Sequence, residues 1–469
     1  MESRGELLAA SDVLLFVNAA ITATGQREFH TGAGEQQLSL DFLHEYMLVN
    51  YRDLYAGVLA LDINDHNAAL IVRRLLETSG EASAEQRRSE GRLIAGRLAL
   101  LPPQRVFRLF SALRRAKVNN RRTRAIMRDW LAARPDPAFD AVKYRGGMKR
   151  AFRHAHLTPA GDELGTFLFA PLSRPQYATP LLETWRRAHY EQASVYELPL
   201  TAAEGFAAKH GIPREVFLER IAPKMTRLET LRLQESGAAE ADLTRMPLTR
   251  LASYALALPV EDRVRRRDEL TRALRAAADR VAGPHRGSWG KVAAVLDDSF
   301  SASGSGQKRR RPLAVALACH HLLAALADDY TARWTSGRTD ALLARPHGAT
   351  PLGRRILDAL ETGPDRLVIV SDGWDNAPPG LAGEVLRAWR TRLDPEHRTG
   401  VVHLNPVYDA TGFDVRGLSE VVPSTGIRDA EDLPALVELA QFATGRTGLA
   451  DLIGYLDSRA DRLLGGETR

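Results

Sequence analysis

Five oxygen-bearing side chains in three short stretches are the residues of this chain best suited to chemistry. The first stretch, Val295-Leu296-Asp297-Asp298-Ser299-Phe300-Ser301, contains an Asp-x-Ser-x-Ser pattern. The second is Gly348-Ala349-Thr350-Pro351, and the third is Leu367-Val368-Ile369-Val370-Ser371-Asp372-Gly373. Carboxylates and hydroxyls without nitrogen or sulfur donors suit a hard divalent cation, Mg²⁺ foremost, in octahedral geometry. Few anionic ligands leave such an ion electron-poor, free to take an acidic oxygen from a partner as its sixth ligand. The loop after Ser301 ends in Lys308-Arg309-Arg310-Arg311. Four cations there would either weaken metal binding or help to hold an anionic ligand. A two-metal hydrolase needs more carboxylates than Asp297 and Asp372. Asp298 and Asp375 are near in sequence, but no general base stands out, so the expectation is a site that binds and does not catalyse.

The elements that position these residues follow from the pattern around them. From about residue 291, apolar β-prone runs alternate with helices. Strands are expected at Val292–Leu296, Tyr330–Thr335, Arg366–Ser371, Val401–Leu404 and Leu418–Val422. Helices are expected at Pro312–Asp329, Pro351–Glu361, Leu381–Leu393 and Asp432–Ala443. This alternation predicts a doubly wound, mostly parallel α/β sheet, whose ligands gather at the carboxyl ends of the strands. Asp297 and Asp372 each follow a predicted strand, and Thr350 precedes a helix, so the three stretches converge. Asp297, Ser299, Ser301, Thr350 and Asp372 resemble, in order and spacing, the five-position metal-ion-dependent adhesion site (MIDAS) of von Willebrand factor A (vWA) domains. That resemblance implies that Asp297, Ser299 and Ser301 hold Mg²⁺ directly or through water, and that Thr350 and Asp372 complete the shell. Cys319-His320-His321 falls on the helix after the first loop. A zinc site there lacks further ligands, so burial against the sheet is expected.

Residues 1–282 show helical periodicity with little strand pattern. Apolar positions recur at three and four from Leu40 onward and over Asn67–Leu76, Gln104–Lys117 and Thr123–Ala133, with breakers such as Pro102-Pro103 and Pro135-Asp136-Pro137 between them. Antiparallel helix pairs would bury such faces, giving an all-α helical-repeat (HEAT-like) module, ring or arc. Gly283–Gly290 reads as a linker, with the vWA-like part at 291–469.

The 469 residues carry a net charge of +6, but the charge is uneven. Leu101–Ala155 holds 15 Lys and Arg against 3 Asp and Glu, so that segment is +12 and the rest of the chain is −6. A basic block in an otherwise acidic protein argues for a polyanionic partner. On a helical wheel Arg121, Arg124 and Arg128 oppose Ile126, Met127 and Trp130. Arg105, Arg108 and Arg115 oppose Val106, Phe110 and Leu113. Two arginine stripes make a phosphate-binding surface whose affinity is salt-dependent and indifferent to sequence. Phe107, Phe110, Trp130 and Phe152 are expected in the core, and Tyr144 is the candidate for stacking on a base.

Ala141-Val142-Lys143-Tyr144-Arg145-Gly146-Gly147, followed by Arg150-Ala151-Phe152-Arg153-His154-Ala155-His156-Leu157, resembles a signature stretch of the TROVE module of the Ro RNA-binding proteins. Met246-Pro247-Leu248-Thr249-Arg250-Leu251 resembles a later stretch, and the order of domains is that of Ro proteins. The chain departs from the pattern by being about two residues shorter there and by lacking a tryptophan after the glycine. The resemblance implies binding of structured small RNA (Y-RNA-like) or misfolded RNA. It also implies RNA contacts at Arg121, Arg122, Arg124, Arg128, Lys143, Arg145, Lys149, Arg150, Arg153 and His156, and a protein partner that supplies an acidic ligand to the metal. The first ~90 residues fit it poorly. The rival reading is a vWA adaptor without RNA binding, such as a partner of an ATPase or a conflict system.

One cysteine, Cys319, excludes an internal disulfide. Glu2, Glu6 and Asp12 stand where a signal peptide would be basic and then apolar, and Leu313–Ala327 is too short for a span. A cytoplasmic protein with no membrane partner is expected.

Overall fold

The computed structural model describes residues 4–159, 161–173, 175–225, 229–230, 243–436 and 448–465. Two compact units result, one of Met1–Asn67 with Ala241–Ala460, the other of Ala68–Glu240 with Asp461–Arg469.

The first unit holds the sheet. Its strands are β1 (Lys291–Leu296), β2 (Asp329–Trp334), β3 (Arg366–Val370), β4 (Gly400–Asn405), the short pair β5 (Tyr408–Asp409) and β6 (Asp414–Val415), and β7 (Ser424–Gly426). Five are parallel in the order β2-β1-β3-β4-β7, and β5 and β6 form a separate antiparallel ribbon. Val292–Leu296 and Leu367–Val370 are buried at every position, as strands covered on both faces must be. Val295 and Ile369 pack with Ile356 and Leu386 of helices Leu352–Leu360 and Leu381–Arg392. Helix Arg311–Leu326 packs on β1 and β2, and also on helices Leu248–Ala257 and Arg267–Ala282. Cys319 and His321 are buried in it, as expected.

Two sequence expectations shift. The strand predicted over Leu418–Val422 lies at Ser424–Gly426 instead. Leu418, Val421 and Val422 are apolar because they pack on the core from a loop, not because they pair in the sheet. The helix predicted over 432–443 is seen at 433–436, and residues 437–447 lie outside the described residues.

The change of texture at 282–290 is also not where the compact units divide. Helix Arg4–Thr22 is long and apolar enough to cross a membrane by length and composition, yet Val13, Phe16, Val17 and Ala20 are wholly buried within this unit. Its Asn18 Oδ1 accepts hydrogen bonds from the Gly426 amide (2.9 Å) and the Thr425 hydroxyl (3.1 Å). From helix Ala33–Asn50, Gln36 donates to the Tyr408 carbonyl (3.0 Å) and the Ser39 hydroxyl pairs with the Tyr408 hydroxyl (2.6 Å). The N-terminal residues that fit the helical-repeat pattern poorly thus satisfy the polar groups of the last strands.

The second unit is helical. Ser83, Asn120 and Asp136 cap helices Ala84–Leu100, Arg121–Ala132 and Pro137–Lys143 by accepting from backbone amides of the first turn. Helix Arg145–Ala155 packs against Pro103–Arg115 and Arg121–Ala132. The packing is close because Gly147 has no side chain: a Cβ there would come 2.8 Å from Phe107 Cβ.

Candidate functional site

β1 and β3 are neighbours in register, Leu296 beside Val370, so Asp297 and Asp372 leave the sheet side by side. Two backbone bonds tie the loop of Thr350 to the first loop, His347 N to the Asp298 carbonyl (2.9 Å) and Phe300 N to the Gly348 carbonyl (3.0 Å). Asn376 Oδ1 holds the Thr350 amide at 2.8 Å. The Ser299 and Ser301 hydroxyls are 3.2 Å apart, and the Ser299 amide donates to Asp297 Oδ1 (2.8 Å). All five residues are buried.

The electrostatics of this cluster suit a cation. Burial, with the Asp372 charge as the second cause, pushes the Asp297 carboxyl up to about 7. Asp372 Oδ1 accepts from the Trp374 amide (3.1 Å), while Oδ2 is buried with no hydrogen-bond partner. Two adjacent buried carboxylates with an unbonded oxygen are costly unless a positive charge lies between them. Among the described residues no three His, Cys, Asp or Glu side chains gather as a metal-binding group. Beside the two carboxylates, Ser299, Ser301 and Thr350 bring hydroxyl oxygens, a donor set of the kind a hard cation takes.

Several neighbours have tasks that sequence alone left open. Asp298 is not free for chemistry, because it accepts from Thr335 Oγ1 (2.9 Å), the Ser336 amide (2.9 Å) and the Ser336 hydroxyl (2.6 Å). Asp375 Oδ2 takes the Ala382 amide (2.7 Å) at the start of a helix. The four cations are largely spoken for: Lys308 pairs with Glu28, Arg310 donates to the Leu256 carbonyl (2.8 Å), and Arg311 pairs with Asp429 (2.8 Å). Asn376, Thr335, Ser336 and His30, whose Nε2 is 3.8 Å from Asp372 Oδ2, were not foreseen. None of them has a distinctive spacing; only the folded loops bring them here.

The basic candidates divide into two groups. Arg122 is drawn inward to Glu90 (2.8 Å) and Ser79 (3.1 Å), and Lys143 to Glu229 (2.8 Å). Arg145 donates to the Phe167 and Leu168 carbonyls (3.2 and 3.0 Å) and lies over Trp185 at 5.5 Å. Burial holds its pKa below the usual value. These three tie neighbouring segments of the helical unit together, and Lys143 and Arg145 also line the cleft described below. Arg128 is exposed beside Asp129 (2.8 Å). His156 bonds Asn119 (3.1 Å) in a left-handed helix end, φ 55°, so its geometry is that of a cap. Among the described residues Arg105, Arg108, Arg115, Arg121, Arg124, Lys149, Arg150 and Arg153 form no salt bridge. Lys149 and Arg153 lie over the Phe169 ring at 5.7 and 5.2 Å.

Arg108, Arg115 and Arg150 line a cleft of about 620 Å³ that also takes in Lys143, Tyr144, Arg145, Gly146 and Gly147 and, among the described residues, has no acidic side chain in its wall. The first turn of helix Arg145–Ala155 opens on it. Phe107, Phe110, Trp130 and Phe152 are core, as expected, with Trp130 edge-on to both Phe107 (5.2 Å) and Phe110 (5.5 Å). Tyr144 is half-buried against Phe107 at 5.8 Å.

A helical unit joined to a parallel sheet with an oxygen cluster at its carboxyl edge defines the class: a helical module combined with a vWA-type α/β domain. Among solved structures, the chain is similar to the crystal structure of the Ro (RSR) protein of Deinococcus radiodurans, at a TM-score of 0.54 and 15% identity over 93% of this chain and 100% of that one. At that identity the likeness establishes the fold, which is the fold of a Ro protein. No family model and no curated protein matches the chain.

Proposed function

We propose that this chain is a Ro-like RNA-binding protein, gripping structured or misfolded small RNA with its helical unit and receiving an acidic protein partner at a Mg²⁺-loaded adhesion site. The observation that carries the RNA reading is the cleft around Arg108, Arg115 and Arg150: three arginines without salt bridges, beside the first turn of helix Arg145–Ala155, with no carboxylate among the described residues of the wall. Helix N-termini and arginine forks both receive phosphate oxygens. The cation-π placement of Lys149 and Arg153 keeps their charges on the same helix. The Ro fold supports the same reading.

Asp297, Ser299, Ser301, Thr350 and Asp372 would hold the cation, directly or through water. When bound, it would supply a Lewis acid for a carboxylate oxygen of the partner. The chain's own part is to keep these ligands buried and oriented, through Asn376 on the Thr350 amide and the Ser299 amide on Asp297 (2.8 Å). Asp298 is consumed in hydrogen bonds, which supports a binding role without catalysis. The cytoplasm is the proposed compartment.

The test is RNA binding against salt. A structured small RNA should bind purified protein with an affinity that falls steeply between about 50 and 200 mM salt. Arg108→Glu with Arg150→Glu should lose at least tenfold, and so should Arg121→Glu with Arg124→Glu. No RNA affinity at low ionic strength, or indifference to all four reversals, would leave the adaptor reading in place.

A further inference from the structure

The segment Thr24–Gly32 lies at the oxygen cluster, within the same compact unit. It is anchored on both sides of the site. Glu28 is 2% exposed and pairs with Lys308, and the Arg27 amide donates to Gln307 Oε1 (3.0 Å). The Glu28 amide closes a turn on the Thr31 carbonyl (3.1 Å). Phe29 packs edge-on against Phe300, the residue between the two site serines, at 5.8 Å. The His30 imidazole lies against Trp374, two residues beyond Asp372, at 4.4 Å, and the Arg416 guanidinium lies 3.9 Å from the same indole.

These contacts aim His30 Nε2 at Asp372 Oδ2, 3.8 Å away, the buried oxygen without a hydrogen-bond partner. The separation is too long for a hydrogen bond. It leaves room for an ion between the two atoms: bonds of roughly 2.1 Å place donors about 3 Å apart when adjacent and about 4.2 Å when opposite, so a shift of under about 1 Å brings both onto one ion. Sequence reading found an all-oxygen site, since His30 is far away in the chain and precedes the sheet by more than two hundred residues.

We propose that His30 is the site's own capping ligand: its Nε2 takes the coordination position that an acidic partner would otherwise fill, so that the partner must displace the segment Thr24–Gly32. The proposal rests on the reading of the five oxygen residues as a cation site. It adds a nitrogen donor to that site, and imidazole favours Co²⁺ and Ni²⁺ relative to Mg²⁺.

The test uses full-length protein, with Mg²⁺ and Co²⁺ binding measured by calorimetry and the visible spectrum of the bound Co²⁺ recorded. Wild type, His30→Ala, His30→Gln and Asp297→Ala are compared, with circular dichroism to confirm that each is folded. Both His30 variants should bind Co²⁺ at least tenfold more weakly, with a changed spectrum, while Mg²⁺ affinity moves by less than about threefold. Acetate, as the probe of the open position, should bind the metal-loaded His30 variants several-fold more tightly than metal-loaded wild type. Unchanged Co²⁺ affinity and spectrum in both variants, with binding lost in Asp297→Ala, overturns the cap and leaves the cation site standing. If wild type binds neither ion, or Asp297→Ala binds as wild type does, the cation site itself falls and the cap with it.

Discussion

Asp297 and Asp372 share a buried space in which the Asp372 charge adds to the cost of ionising Asp297, and Asp372 keeps one oxygen unbonded. A bound cation relieves both costs, so it should stabilise the folded protein by mass action, about 2.7 kcal/mol at a hundredfold excess over Kd. Chelation should lower the thermal midpoint of wild type and addition of Mg²⁺ should restore it. Asp297→Asn should unfold at a higher temperature than cation-free wild type and ignore Mg²⁺. A second residue of the same loop is under backbone constraint. Gly373 has φ +78° and faces the Arg416 carbonyl 2.5 Å from where a Cβ would sit. Gly373→Ala meets both a left-handed backbone and a backbone clash, and should cost about 2–4 kcal/mol in denaturant unfolding. A loss below about 0.5 kcal/mol would mean that the loop shifts freely, against the idea that it is held for a ligand.

Elements add constraints that no single residue carries. Helix Arg4–Thr22 contributes Asn18, which satisfies the Gly426 amide and the Thr425 hydroxyl and donates to Asp414 Oδ1 (2.9 Å). Asn18→Ala strands a buried amide and should cost about 2–3 kcal/mol, whereas Asn18→Asp, which keeps the acceptor, should restore part of it unless repulsion from Asp414 prevails. Here lies the limit of what the sequence discloses. The adhesion pattern and the β1 and β3 strands were legible because all-buried parallel strands give continuous apolar runs and end in their functional residues. The arginine stripes were legible from helical period. The pairing of Arg122 with Glu90, 32 residues away, and of Lys143 with Glu229, 86 away, was not, since opposite charges at such distances carry no pattern. The true last strand was missed for a related reason. Ser424-Thr425-Gly426 is too short and polar to stand out, while the apolar Leu418–Val422 beside it packs from a loop.

At the scale of the molecule, the sheet unit takes in residues from both ends of the chain, and its stability should follow from that. A fragment beginning at 283 keeps every strand but lacks Asn18, Gln36, Ser39 and the helices that cover Arg311–Leu326, so it should not give a cooperative unfolding transition. In acid, buried histidines of the sheet unit work against stability while its buried carboxyls work for it. His321 and His403 are buried, and burial lowers their pKa from 6.5 to about 3 and about 4. His403 is held between the hydroxyls of Ser371 and Ser424, both 3.0 Å away, and His321 Nε2 has no hydrogen-bond partner. Their stabilising contribution is fully present above pH 6.5, where both states are neutral. As pH falls below 6.5 the unfolded chain takes up protons that the folded one refuses, and that contribution drops until the folded pKa is passed. Each histidine removes roughly 1.4 kcal/mol per pH unit, so the two together remove on the order of 4 kcal/mol by pH 5. That is a large part of the 5–15 kcal/mol typical of folded proteins. Asp297 and Asp414, raised by burial to about 7 and about 6, act in the opposite sense over the same range, so the histidine contribution is read as a difference between variants in denaturant midpoints measured from pH 7.5 down to 4.5. His321→Leu, which fills the same apolar surroundings without a titrating group, should change the slope below pH 6.5 by close to one proton relative to wild type while leaving the difference above pH 7 nearly flat. A slope identical to wild type would show that His321 gains a proton in the folded state as easily as in the unfolded one.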